Sequence, residues 1–340
     1  MSSRRAGFLT ALQATVAWHC IWPEVFRNLQ PRNVAQCLAD DALDRAKHSA
    51  GPNYALYRGD CVELMQAFPE AVFDLVFADP PYFLSNGGFT CQSGRRAPVD
   101  KGAWDQSRGL EEDYQFAVLW LRACQRVLKP TGAIWVSGTQ HVIFSVGFAM
   151  QRLGFRILNT VTWYKPNASP NLSCRYFTHS TELLIWASPH GAGKLRHQFN
   201  YQAMKAQNGG KQMRDVWNLP RVGEEELAAD GLGRVWSQLT PRKDEKEWGK
   251  HPTQKPLRLL ERIIESSTEK SALVLDPFSG SGTTGVAAVG LGRRFVGIDR
   301  NPSYLALSEQ RLRAASQLMR RPRRAGKAVR SGDAAARVAS

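Results

Sequence analysis

Two periodicities of apolar residues divide most of the chain. ALYRGD (55–60), FDLVFADPPY (73–82), AIWVSG (133–138), ILNTVTW (157–163), TELLIWA (181–187), ALVLD (272–276) and RFVGID (294–299) are short runs, apolar along most of their length and rich in β-branched and aromatic residues. They predict seven strands. Helical spacing fills the intervals. CVELMQAF (61–68) reads as a short helix, and residues 110–129 carry Leu110, Tyr114, Ala117, Leu121, Cys124 and Leu128 three and four positions apart before Pro130 stops them. Further helices are expected at 141–153, ended by Gly154, from Pro256 to about 270, after a glycine-rich turn at 276–285, and beyond Asn301-Pro302. Strands apolar on both faces, alternating with helices, predict an α/β fold: a doubly wound, mostly parallel seven-stranded sheet covered on both sides.

Segments outside that rhythm mark the organisation. Residues 1–50 show no sustained period and read as an N-terminal extension; its first twenty residues superficially copy a signal peptide, but Thr10, Gln13 and Thr15 interrupt the apolar run. Residues 83–109, polar and glycine-rich, are too long for an ordinary connection and read as a functional loop. From about 190 to 250 the composition turns basic and aromatic without periodicity, and the segment reads as an insertion in a catalytic domain spanning 51–318. Residues 319–340 form a basic tail expected to be disordered.

Composition narrows the function. A hydrophobic content of 43% excludes disorder for most of the chain, and no uninterrupted apolar stretch is long enough to span a bilayer, so a cytoplasmic protein without membrane attachment is expected. The six cysteines are scattered, with no CxxC pair and no Cys/His cluster at metal-binding spacing, so no metal is expected. A net charge of +15 suggests a polyanionic partner. Nine basic residues against one acidic residue fall within 311–340, however, which leaves the body only moderately basic.

Two turns carry chemistry. DPFSGSGTTG (276–285) follows an apolar strand and opens a helix; Gly280, Gly282 and Gly285 let backbone approach a ligand, while Asp299, ending the next strand, offers a carboxylate to two ribose hydroxyls. This reads as a nucleoside-cofactor site, on which a dinucleotide dehydrogenase and an S-adenosylmethionine enzyme remain hard to separate. Asp276 and Phe278 favour the latter, since a carboxylate there suits an ammonium group better than a pyrophosphate. The second turn is Asp79-Pro80-Pro81-Tyr82, at the carboxyl end of a strand where open α/β sheets bind ligands. Its proline pair deletes two donors and leaves rigid carbonyl acceptors beside a carboxylate and a ring. That set fits an exocyclic amine: two N–H groups donate to Asp79 and the Pro80 carbonyl while Tyr82 stacks on the heterocycle.

With DPPY at 79–82, HPTQKP at 251–256 and FSGSG at 278–282, in that order, and with KGAWD (101–105) after DPPYFLSNGG, the chain resembles the exocyclic-amino DNA methyltransferases of the permuted β class over about residues 55–315. The resemblance implies a circularly permuted, Rossmann-like methyltransferase sheet, S-adenosyl-L-methionine as cofactor with no metal, and DNA as the substrate. It implies that Asp79 through Tyr82 hold the target amine; that Phe278, Gly280 and Gly282 line the methionine moiety; that Asp299 binds the ribose; and that Asp60 and Cys61 contact the adenine. His251, Thr253 and Lys255 would close the cofactor pocket, and residues 190–250 would recognise the target, with loop 83–109 helping to hold DNA. The target base has to be flipped or already unpaired. Asp rather than Ser at position 79 resembles the adenine-N6 members more than the cytosine-N4 members, which remain the alternative, ahead of RNA or protein acceptors. The family's usual restriction–modification context admits a homodimer and a cognate endonuclease acting on the same site as partners.

Overall fold

The computed structural model describes residues 41–85, 87, 89–92, 95–165, 168, 170–191, 193–217 and 254–320. Its centre is a twisted sheet containing all seven expected strands: β2 (Tyr54–Arg58), β3 (Phe73–Ala78), β6 (Leu128–Gly138), β7 (Arg156–Tyr164), β8 (Thr181–Ser188), β10 (Leu273–Asp276) and β11 (Arg294–Asp299). The strand count itself needs correction. Short β1 (Lys47–Gly51) and the two-residue β9 (Val216–Trp217) extend the edges, giving nine strands among the described residues, in the order β1-β2-β11-β10-β3-β6-β8-β7-β9. β9 is too short for a sequence period, whereas β1 (KHSAG) lacks the apolar run of the other strands and, Gly51 aside, lies inside the segment read as an extension.

The five central strands, β2, β11, β10, β3 and β6, run parallel, and β8 is antiparallel to both β6 and β7. Their two-sided hydrophobicity has a direct cause. Along β3, Phe73, Val76 and Ala78 pack on one face while Leu75 and Phe77 pack on the other. Helices α1 (Cys61–Ala67), α2 (Leu110–Val127) and α3 (Ile143–Arg152) cover the first face through Met65, Trp120, Leu121, Val146 and Met150. After the short α4 (Tyr201–Gln207), helices α5 (Leu257–Ser267), α6 (Thr283–Gly290) and α7 (Pro302–Arg320) cover the second through Leu260, Ile264, Ala288, Leu305 and Leu312. No described helix is long and apolar enough to cross a membrane.

Loop 83–109 differs from the expectation of irregular chain. It contains an antiparallel hairpin, β4 (Phe89–Gln92) with β5 (Arg95–Pro98), and a 3₁₀ turn at Ala103–Asp105. Segment 190–250 likewise opens with α4 and β9, and residues 218–250 lie outside the described residues. The pairing that matters most is β10 with β3, Val274 opposite Leu75 and Leu275 opposite Val76. It sets the glycine-rich turn beside DPPY, although about two hundred residues separate them in the chain.

Candidate active site

Four strand ends define a cavity of about 730 Å³ at the carboxyl edge of the sheet. The turn after β10 supplies Asp276, Phe278, Ser279, Gly280 and Ser281; the end of β11 supplies Asp299; the end of β2 supplies Asp60 and Cys61; and the turn after β3 supplies Asp79, Pro81 and Phe83. Gly280 and Gly282 have φ of +49° and +72°, a left-handed backbone that glycine adopts without penalty. Gly282 is doubly constrained, since a Cβ there would sit 2.7 Å from the Ser308 hydroxyl oxygen. The third glycine serves packing: a Cβ on Gly285 would lie 2.4 Å from the Phe295 ring.

The carboxylates of the cavity are already partly satisfied. Asp299 accepts the Gly280 N–H at 2.8 Å and the Asn301 N–H at 2.7 Å, and burial outweighs these bonds to raise its pKa. Asp276 accepts from Phe278 N at 2.9 Å and Thr284 Oγ1 at 2.6 Å, yet burial pushes it up to about 7. Asp60 caps α1 through Val62 N at 2.8 Å and Glu63 N at 3.1 Å and pairs with Arg300. Each carboxylate retains lone pairs toward the cavity. Cys61 is buried, and desolvation together with Asp60 pushes its thiol up to about 12, so it stays neutral and serves as apolar wall. Phe278 meets Trp120 edge-on at 5.5 Å.

This arrangement suits a nucleoside bearing a cationic amino-acid tail. The volume is adequate, three carboxylates face polar groups of that kind, and the buried Ser279 hydroxyl has no hydrogen-bond partner among the described residues. Among the described residues no His/Cys/Asp/Glu group has the form of a metal site.

Around Asp79 the chain builds a buried polar cluster. Asp79 Oδ1 accepts from Ser137 Oγ at 2.5 Å and from the Tyr82 hydroxyl at 2.8 Å; Oδ2 accepts from Lys255 Nζ at 2.6 Å. Burial alone would raise the Asp79 pKa, but Lys255 with these hydrogen bonds holds it below the ordinary carboxylate value. Burial is likewise overcome at Lys255, where Asp79 and Glu182 raise the ammonium's pKa. Glu182, opening β8, lies 3.4 Å from the Tyr82 hydroxyl and 3.7 Å from Lys255 Nζ and pairs with Lys165. The Tyr82 phenol is pushed well up by burial and by the two carboxylates, so it remains a donor.

Two expectations take a different form. Lys255 borders the cavity, but its ammonium is committed to Asp79. Tyr82, expected to stack on a heterocycle, is turned inward at 6% exposure, with Lys255 Nζ 5.1 Å from its ring centre. Neither Tyr82 nor Pro80 lines the cavity, whereas Phe83, held at φ +55°, does. His251 and Thr253 lie outside the described residues.

Sequence reasoning assigned no role to Asp105, Ser137 or Glu182. Asp105 is fully buried and anchors the turn: Oδ1 accepts from Tyr82 N at 3.0 Å and Phe83 N at 2.9 Å, and Oδ2 accepts from Leu84 N at 3.2 Å and Ser85 Oγ at 2.8 Å. The KGAWD signature was the one available clue.

A hydrogen-bonded carboxylate beside a nucleoside-sized cavity, at the carboxyl edge of a doubly wound sheet, fits a cofactor-dependent enzyme. Residues 73–310 match the N6/N4 methyltransferase family model, described as DNA methylase, and the chain belongs to that family. It is a DNA methyltransferase. Among curated relatives, the Type II methyltransferase M2.MboI of Moraxella bovis is 48% identical over 259 residues, covering 76% of this chain and 87% of that protein. M2.DpnII of Streptococcus pneumoniae is 48% identical over 262 residues, covering 77% and 90%. Among solved structures, PvuII DNA methyltransferase (cytosine-N4-specific) aligns with a TM-score of 0.55 at 22% identity over 76% of this chain and 86% of that one. The M1.HpyAVI–SAM complex aligns at 0.52 and 24% identity over 76% and 98%. These structural likenesses establish the fold.

Proposed function

We propose that the protein methylates the exocyclic N6 amine of adenine within a short DNA recognition sequence, as the modification enzyme of a restriction–modification system. The observation that carries this reading is the ionised Asp79 in a DPPY turn at the mouth of the cofactor cavity. Aspartate at that position resembles the adenine-directed members of the family, and the relatives' designation as Type II methyltransferases supports the biological setting.

Bound S-adenosylmethionine supplies an electrophilic methyl group. The chain's own residues provide positioning and charge. Asp299 would hold the ribose, Asp60 and Cys61 the adenine edge, and Asp276 the amino-acid ammonium, while Phe278, Gly280 and Gly282 enclose the methionine chain. Asp79 and the Pro80 carbonyl would accept the two N–H groups of the target amine, drawing its lone pair away from the ring and toward the cavity. Asp79 also stabilises the positive charge that develops on the nitrogen. The base has to leave the duplex to reach this pocket. Residues 190–250 would read the target, His251 and Thr253 would close the cofactor pocket, and residues 319–340 would add salt-sensitive DNA affinity. The enzyme would act in the cytoplasm, with a cognate endonuclease and a second copy of the chain as partners.

The test is mass spectrometry of nucleosides from DNA incubated with protein and cofactor, paired with methylation-sensitive sequencing. N6-methyladenine at one short motif is expected. N4-methylcytosine would overturn the base assignment, and cofactor binding without any DNA mark would overturn the substrate.

A further inference from the structure

Asp79 is engaged at both oxygens before any substrate arrives. Its Oδ1 accepts two hydrogen bonds, which fills that oxygen, and its Oδ2 accepts the Lys255 ammonium at 2.6 Å. An amine seated on the remaining lone pair of Oδ2 would share that oxygen with a cation while positive charge grows on its own nitrogen. Such an arrangement opposes transfer, because two like charges on one acceptor repel in a site that excludes water. Simple loss of Lys255 from the cluster would be no remedy, since a buried ammonium without a partner is costly.

Glu182 resolves the conflict. Its carboxylate lies 3.7 Å from the same ammonium, and it also reaches the Tyr82 hydroxyl at 3.4 Å and pairs with Lys165. We infer that Glu182 is a positioning residue of the reaction: as the target amine docks, Glu182 takes over Lys255, and Asp79 Oδ2 passes from the ammonium to the amine. The described structure is then the resting arrangement, in which Lys255 keeps Asp79 ionised and in place. Glu182 holds the cation away during transfer, and Tyr82 keeps its hydrogen bond to Asp79 Oδ1. This inference rests on the methyl-transfer reading and adds a residue to its machinery.

The substitution Glu182→Gln keeps the shape and removes the charge. We expect kcat to fall at least tenfold, with the dissociation constant for S-adenosylmethionine and the KM for DNA each within about threefold of wild type. Glu182→Asp, shorter but charged, should be faster than the isosteric Glu182→Gln. A Gln variant faster than the Asp variant, or a Gln variant within twofold of wild type, would each overturn the inference. If Glu182→Gln fails to fold, Glu182→Asp, compared with wild type, decides the matter. Wild type that marks no DNA refutes the activity and the inference together, whereas an active wild type with an unimpaired Glu182→Gln refutes the inference alone.

Discussion

Asp105 offers the sharpest quantitative test of how the catalytic turn is held. In Asp105→Asn the single remaining oxygen can serve only one of the two donor pairs. With that oxygen kept on Tyr82 N and Phe83 N, the new NH₂ group faces Leu84 N–H and Ser85. The Ser85 hydroxyl can rotate to accept, but the Leu84 N–H loses its partner. One unpaired N–H costs about 1–3 kcal/mol, and turning two charge-assisted bonds into neutral ones adds about 1 kcal/mol, for a total of about 2–4 kcal/mol. If that cost falls on the register of residues 79–84, methyl transfer slows by roughly 30-fold to 1,000-fold. Asp105 does not line the cavity, so cofactor affinity should stay within about threefold of wild type. Single-turnover transfer rates and calorimetric cofactor binding, measured on the same preparation, separate the two effects. A rate within twofold of wild type, or a loss of cofactor binding that matches the loss of rate, refutes the anchoring role.

Asp79→Ala should abolish transfer and leave cofactor affinity nearly unchanged, and wild-type turnover in that variant would contradict its role at the amine. Asp299→Ala removes the acceptor for Gly280 N–H and Asn301 N–H as well as the proposed ribose contact; the calorimetric dissociation constant for the cofactor should rise about 10- to 100-fold, in line with a charged hydrogen bond of about 1.5–3 kcal/mol. Gly285→Ala forces a Cβ within 2.4 Å of the Phe295 ring and should destabilise the fold by about 1–3 kcal/mol in denaturant titrations, with no cost meaning that α6 can shift freely. Asp276, raised from 3.8 to about 7, binds a proton more tightly in the folded chain than in the unfolded one. Its contribution to stability is therefore full below about pH 4, declines as pH rises, and levels off above 7, so Asp276→Asn should flatten that part of the melting-temperature profile of the cofactor-free protein. An unchanged profile would mean that Asp276 titrates normally.

What the sequence made legible was whatever the backbone expresses locally. The central parallel strands bury both faces, so their residues are apolar without alternation and stand out from the amphipathic helices around them, whereas β7 exposes Asn159 and Thr160 and buries Val161 and Trp163. DPPY and FSGSG are equally local, because proline rigidity and left-handed glycines act within four or five residues. The misses follow the same logic. Strand β9 has two residues and is defined by pairing with β7, not by its own pattern. The hairpin Phe89–Pro98 sits in polar, glycine-rich chain whose pairing carries no hydrophobic signal.

Polar residues that act through distant partners were the hardest to read, and they surround Asp79 and its turn. Asp105 looks like an ordinary loop aspartate until its four donors, 20 to 23 residues away, are seen. Lys255 sits in a recognisable motif, but its partner Asp79 is 176 positions earlier, and only the β3–β10 pairing brings the two turns together. Glu182 carries no signature, since a glutamate at the start of an apolar strand usually marks a solvated end. Its 12% side-chain exposure contradicts that reading and places a second carboxylate in the cluster. A cluster of two carboxylates and a lysine, largely buried, with a second lysine at its edge, would be a poor way to gain stability, because desolvation consumes most of the Coulomb attraction. Its value lies in allowing charge to be redistributed, which a reaction that moves a positive charge onto a neutral amine requires.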